Sequence, residues 1–179
     1  ARVEGARAWG RGVGGTMGVS SGDGGRHGVS WPRVVQVLSV RSIAHRGDAA
    51  AVVIAAGGGG VPVVRGRDGQ WRGIEAVIDK DFAASLLAAE LSADLFMILT
   101  NVAQVSIDFG KPTQHQVSRM TIVEAEKHLA AGQFPPGSMG PKIEAAIQFV
   151  RSSGQNVLIS DVDHIREAIA GTGGTYITP

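Results

Sequence analysis

Three short stretches pair small, loop-forming residues with charge, a combination that suits oxyanion binding. The first is Gly57-Gly58-Gly59-Gly60, entered from Val53-Ile54-Ala55-Ala56 and left through Val61-Pro62. Glycines let backbone N–H groups approach an anion closely, and open α/β sheets take ligands at the carboxyl ends of their strands. No Gly-Lys-Ser/Thr follows, so the run is not a P-loop. Pro62 stands where a dinucleotide fingerprint needs its third glycine. A tight turn accounts for two or three of the glycines equally well. The second stretch is Asp79-Lys80-Asp81, at the expected start of a helix. Either aspartate alone is an ordinary complement to the helix dipole, but a lysine beside them opposes that dipole. The third is Gly137-Ser138-Met139-Gly140-Pro141-Lys142, a small-residue loop running into a helix, the usual form of an anion cradle. Lys142 reads either as a ligand to that anion or as a solvated surface residue. His27, His45, His115, His128 and His164 have no metal-ligand spacing and read as structural, so no protein metal site is expected.

These loops are separated by alternating strand and helix patterns. Ala49 to Ala56 is an apolar run that reads as a strand buried on both faces. Val61–Val64 and Trp71–Ile78 read as two strands turned by Asp68-Gly69. A helix follows from Asp81, with Phe82, Leu86, Leu87 and Leu91 on its apolar side. Leu95–Thr100 reads as another buried strand and Val105–Ile107 as a further one. Thr121-Ile122-Val123-Glu124 is a capping box, and Gly132 ends the helix it opens. Pro141 suits a first helical position, with Ile143, Ala146, Ile147 and Val150 at helical spacing and Gly154 as the stop. Val157–Ile159 reads as a strand, Ser160 as the cap of a helix through Ala170, and Thr175–Ile177 as the last strand. Strands alternating with helices predict an α/β sheet covered on both faces.

Bulk properties narrow the function. The chain has 179 residues, 44% of them hydrophobic, with a net charge of +1. That balance gives no electrostatic case for nucleic acid or an anionic membrane as a partner. There is no uninterrupted apolar stretch long enough for a membrane helix and no secretory h-region. With no cysteine, disulfides and thiolate metal sites are excluded, and a cytoplasmic setting is the default. Ten of the 26 glycines lie in residues 1–30, interleaved with Arg2, Arg7, Arg11 and Arg26. Residues 1–47 therefore read as a Gly/Arg-rich leader with little apolar surface to bury, expected to be poorly ordered. An RNA-contacting arm is the alternative reading, without the aromatic-flanked repeats that would favour it.

Four strings, in order, resemble the carbamate kinases of the amino-acid-kinase family: Val53–Val63, Glu75–Asp81, Asp108-Phe109-Gly110-Lys111-Pro112 and Gly137–Ile143. The resemblance covers about 48–179, and Trp31–Val35 extends it faintly upstream. It implies a three-layer α/β sandwich of the amino-acid-kinase type, with a largely parallel central sheet and helices on both faces. It also implies a homodimer and a reversible phosphoryl transfer between ATP and carbamate, giving ADP and carbamoyl phosphate, with Mg2+. By the resemblance Lys80 and Lys142 contact phosphates, and Asp81 organises the two lysines. Gly57, Gly58, Gly59 and Gly60 face carbamate; Thr100, Met139, Gly140 and Lys142 belong to the nucleotide pocket.

The departures are as informative. The family's substrate lobe, with an early glycine-rich loop and a further lysine, has no counterpart in residues 1–30. Gln36 to Gly47 is a short Arg- and Ser-rich stretch where the family has a fuller linker and helix. Asn101 stands where an aspartate is common, Ala103 likewise, and Ser106 where an aromatic is frequent. Two readings follow: a carbamate kinase whose N-terminal substrate lobe is missing, and a non-catalytic remnant that serves as a nucleotide-binding or dimerisation module.

Overall fold

Strand and helix preferences convert into two units, residues 1–91 and residues 92–179, in the computed structural model. It describes the backbone of residues 17–19 and 33–34 and the whole of residues 52–179. Most of the predicted leader, the stretch 36–47 and residues 49–51 of the first predicted strand lie outside the described residues.

In the first unit, β1 (Met17–Val19) pairs in parallel with β3 (Val63–Arg65) and antiparallel with β2 (Arg33–Val34). β4 (Trp71–Gly73) pairs antiparallel with β3, giving the order β2-β1-β3-β4. The hairpin turn forms at the predicted place. Asp68 Oδ1 accepts from Gln70 N at 3.1 Å. Gly69 takes a left-handed φ of 78°, a conformation that a side chain would resist. Helix α1 (Lys80–Glu90) starts one residue earlier than expected. Asp79 is its N-cap and accepts from the Asp81 amide at 2.7 Å. That bond satisfies one of the orphan donors of the first turn.

One expectation fails here. The described part of the predicted strand, residues 52–55, lies in no strand, and Val52 and Ile54 are 92% and 95% exposed. Apolar composition suits a segment to a sheet, but the strand exists only if a neighbour supplies the other half of each backbone hydrogen bond. Among the described residues none pairs with 52–55.

The second unit is built on a mixed sheet, ordered β5 (Leu95–Thr100), β9 (Asn156–Asp161), β10 (Thr175–Thr178), β8 (Arg119–Thr121). β5 and β9 are parallel, β9 and β10 antiparallel, β10 and β8 parallel. A second, two-stranded ladder joins β6 (Val105–Ile107) to β7 (His115–Val117). Helices α2 (Ile122–Ala130) and α3 (Met139–Ser153) cover one face, with Phe149 against Phe96 at a ring separation of 5.3 Å. The short α4 (Ile165–Ile169) covers part of the other, where the Tyr176 hydroxyl donates to the Ala168 carbonyl at 2.7 Å. β9 is buried on both faces through Val157, Leu158, Ile159 and Ser160, whereas β5 buries Phe96 and Ile98 but leaves Leu95 and Leu99 partly exposed. β5 is thus half-buried, not fully buried as its composition suggests.

Both predicted helix signals at Thr121 and Gly154 form. Thr121 Oγ1 accepts from Glu124 N at 3.3 Å while Glu124 Oε2 accepts from Thr121 N at 2.8 Å. The two bonds together make the reciprocal capping box. Gly154 closes α3 at φ 69°, the left-handed stop that glycine adopts without strain. Two boundaries move. α3 begins at Met139, so Pro141 sits inside the first turn, where its missing N–H costs nothing. Ser160 is not a helix cap: the strand continues to Asp161, and α4 starts only at Ile165.

Candidate active site

The predicted site residues divide between the two units. In the first, residues 57–60 form a loop in which Gly57, Gly59 and Gly60 take φ of 51°, 142° and 89°. Three of the four glycines are therefore required by backbone conformation. Gly59 is buried and donates to the Ala56 carbonyl at 2.9 Å. The loop does not follow a strand, as noted above. At the start of α1 the Lys80 ammonium lies 3.6 Å from Asp81 Oδ2. The two side chains differ in exposure, 61% against 10%. The carboxylate is a buried fixed charge, while the lysine reaches out into solvent.

In the second unit, chain geometry gathers the other residues at one end. Only Gly154 and Gln155 separate α3 from β9, so the helix and strand run antiparallel. Fifteen helical residues span about 22 Å and six strand residues about 20 Å. The amino end of α3 therefore comes to lie over the carboxyl end of β9. Thr100 ends β5 at that same level, in register with Asp161. Side chains alternate along a strand, and Phe96, Ile98 and Thr100 share the α3-facing side with Val157, Ile159 and Asp161.

The amino end of α3 is built for an acceptor. Its first turn holds no acidic residue, and Ser138 at the N-cap makes no side-chain capping bond. Lys142, half-buried, adds a cation to that turn, in which Pro141 has no N–H and the Gly140 amide is already engaged. Gly140 has a packing reason too: a Cβ there would lie 3.1 Å from the Pro135 carbonyl oxygen, which accepts from the Gly140 amide at 2.9 Å. Thr100 Oγ1 lies 3.3 Å from Asn101 Oδ1.

The sequence reading missed two neighbouring features. Asp161 Oδ1 accepts from the His164 amide at 2.8 Å and meets the His164 ring Nδ1 at 2.7 Å. Burial pushes the Asp161 carboxyl up, but the bonds from His164 outweigh it and leave it below its ordinary range. The same carboxylate raises the His164 imidazole, since a partner of opposite charge favours the protonated ring. The signal was present as an Asp-x-x-His string after a predicted strand. Asp108, within Asp108–Pro112, holds Lys111 Nζ at 2.8 Å, Thr113 Oγ1 at 3.0 Å and Gln133 Nε2 at 3.2 Å. Those three donors, Lys111 foremost, lower it to about 2, because each favours the ionised form. Among the described residues no group of three His, Cys, Asp or Glu side chains is placed to hold a metal ion, and no helix is long and apolar enough to cross a membrane.

An α/β unit whose parallel strands end beneath an acid-free, lysine-bearing helix start has the layout in which open α/β sheets take ligands, at the carboxyl ends of their strands. The amino acid kinase family matches residues 13–161, upstream as well as downstream of Asp48. This chain belongs to that family. It is 45% identical over 157 residues to a carbamate kinase of Thermoplasma volcanium, covering 88% of this chain and 51% of that protein. Carbamate kinase 2 of Staphylococcus aureus is 44% identical over 159 residues, covering 88% and 50%. Among solved structures, a carbamate kinase from Giardia lamblia bound to AMP-PNP superposes with a TM-score of 0.78 at 32% identity, over 91% of this chain and 59% of the other. An Aeropyrum pernix protein superposes at 0.73 and 36% identity, over 98% and 55%. The fold is therefore of the amino-acid-kinase type. The chain spans about half the length of the curated relatives it matches.

Proposed function

We propose that this chain supplies the nucleotide-binding part of a carbamate kinase, which moves a phosphoryl group reversibly between ATP and carbamate. The observation that carries the reading is the start of α3, an acid-free first turn bearing Lys142 on the helix that packs over β5 and β9. Carbamate is already an oxyanion, so its attack on phosphorus needs no general base. The demand is alignment, and neutralisation of charge on the moving phosphoryl group. Lys142 takes nucleotide phosphate oxygens at the start of α3. Met139 and Gly140 line that approach, and Thr100 takes part of the nucleoside. Lys80 is the second cation and Asp81, largely buried beside it, is the carboxylate that fixes its aim. The glycine loop 57–60 offers amides to the carbamate side. Mg2+ bound with the nucleotide phosphates would offset part of their charge.

A second reading, a nucleotide-binding or dimerisation module without turnover, is favoured by Asn101 in place of a carboxylate. Both readings require Mg-ADP to bind at α3. Calorimetry on the full chain and on Lys142→Ala tests this: loss of one charge-assisted phosphate contact is expected to weaken binding about tenfold or more. Equal affinity in the two proteins would place the phosphates elsewhere.

A further inference from the structure

Beside the phosphate end of this site stands a carboxylate to which neither the sequence nor the resemblance gave a role. Asp161 ends β9, pairs in register with Thr100 at the end of β5, and shares its α3-facing side. We propose that Asp161 accepts hydrogen bonds from the ribose hydroxyls of the bound nucleotide, and that His164 is the positioning residue that aims it. The inference rests on the nucleotide reading above and extends it to the sugar.

Three observations converge. The first is position. Phosphates bound at the amino end of α3 place the adjoining sugar over the ends of the strands that α3 covers, and those ends are Thr100 and Asp161. Vicinal hydroxyls of a ribose are donors, and a carboxylate at the end of a parallel strand is the group with which nucleotide-binding α/β sheets receive them. The second is the capacity of one oxygen. Oδ1 is committed to the His164 amide and ring, while no other described residue donates to Oδ2. The third is preorganisation. Two bonds from one residue hold the carboxyl plane, and its side chain is 18% exposed, so an ionised acceptor is fixed at the surface without being buried. Holding the turn before α4, whose N-cap is His164, accounts for Oδ1 alone. A serine hydroxyl would accept from that amide as well, and would leave no second oxygen.

The test compares ADP with 2′,3′-dideoxy-ADP by calorimetry, in the presence of Mg2+, on the full chain and on Asp161→Ser. The wild type is expected to bind ADP about tenfold more tightly than the dideoxy compound, the worth of a hydrogen bond to a charged group. Asp161→Ser should bring ADP to the dideoxy level and leave dideoxy-ADP unchanged. Equal binding of the two nucleotides by the wild type overturns the inference without recourse to any variant. If that equal binding is still weakened by Lys142→Ala, the nucleotide reading stands and only the ribose contact falls. If neither nucleotide binds the wild type, both fall together.

Discussion

Asp108 illustrates how a single carboxylate can organise a loop. Its φ of 54° is unusual for a residue with a side chain, and three donors from the β6–β7 loop and from Gln133 hold it there. Its folded pKa of about 2 lies below its ordinary 3.8. Its contribution to stability is therefore complete above pH 3.8 and disappears as pH falls through about 2. In Asp108→Asn, which keeps the backbone preference, Tm should be lower at neutral pH and should fall less steeply between about pH 4 and pH 2. A variant slope equal to that of the wild type would remove Asp108 from the acid limb. His164 works in the opposite sense. Its imidazole is raised by Asp161, so the stability it adds is present below pH 6.5 and fades as pH rises through its folded value. His164→Gln should abolish that alkaline decline, read as Tm against pH. Neither residue was assigned a role from the sequence, because hydrogen-bond partners so close in the chain leave no periodic trace. The lysines and glycines were legible, since their types are rare at helix starts and after apolar runs.

At the scale of elements, most boundaries were written in caps and stops. Thr121 with Glu124, Asp68-Gly69 and Gly154 all act locally, so the sequence near each is enough to determine it. Replacing Thr121 with alanine removes the hydroxyl that accepts from the Glu124 amide and should cost ~1 kcal/mol, or about 4 °C in Tm for a unit of this size. An unchanged Tm would mean that packing of α2 alone sets its start. Where an element depends on distant partners, local reading fails. β7 and β8 are too short and polar to signal themselves, and they exist because Val105–Ile107 and Thr175–Thr178 offer them ladders. Thr175 adds a bond of its own, its hydroxyl accepting from the Val105 amide at 2.8 Å. Val52–Ala55 is the converse case, strand-like in composition and unpaired among the described residues. Since Val52 and Ile54 are solvent-facing, Val52→Ser with Ile54→Ser should leave Tm within about 1 °C, as exposed substitutions do. A larger fall would show that another surface covers them.

At the scale of the whole molecule, the question is how much of a phosphotransferase half a family length can supply. On the proposed reading Lys142 on α3 serves the nucleotide phosphates, Lys80 with Asp81 on α1 is the second cation, and the glycine loop 57–60 serves the carbamate side. Alignment of two reactants, however, requires that both be held, and holding them is worth ~7–11 kcal/mol of barrier. The carbamate kinase resemblance places a further glycine-rich loop and a further lysine in the family's substrate lobe. A chain without those groups would hold the acceptor on one side only and would leave the phosphoryl group open to water. Purified chain, assayed for ATP production from ADP and carbamoyl phosphate, is therefore expected to turn over far below the ~10 per second typical of enzymes. Mg-ADP binding should nevertheless survive, because it draws on the unit of residues 92–179. That separation of binding from turnover is what distinguishes a partial site from a misfolded one. Turnover near ~10 per second, abolished by Asp81→Ala, would establish that these residues are sufficient for catalysis and that the acceptor is held from within this chain.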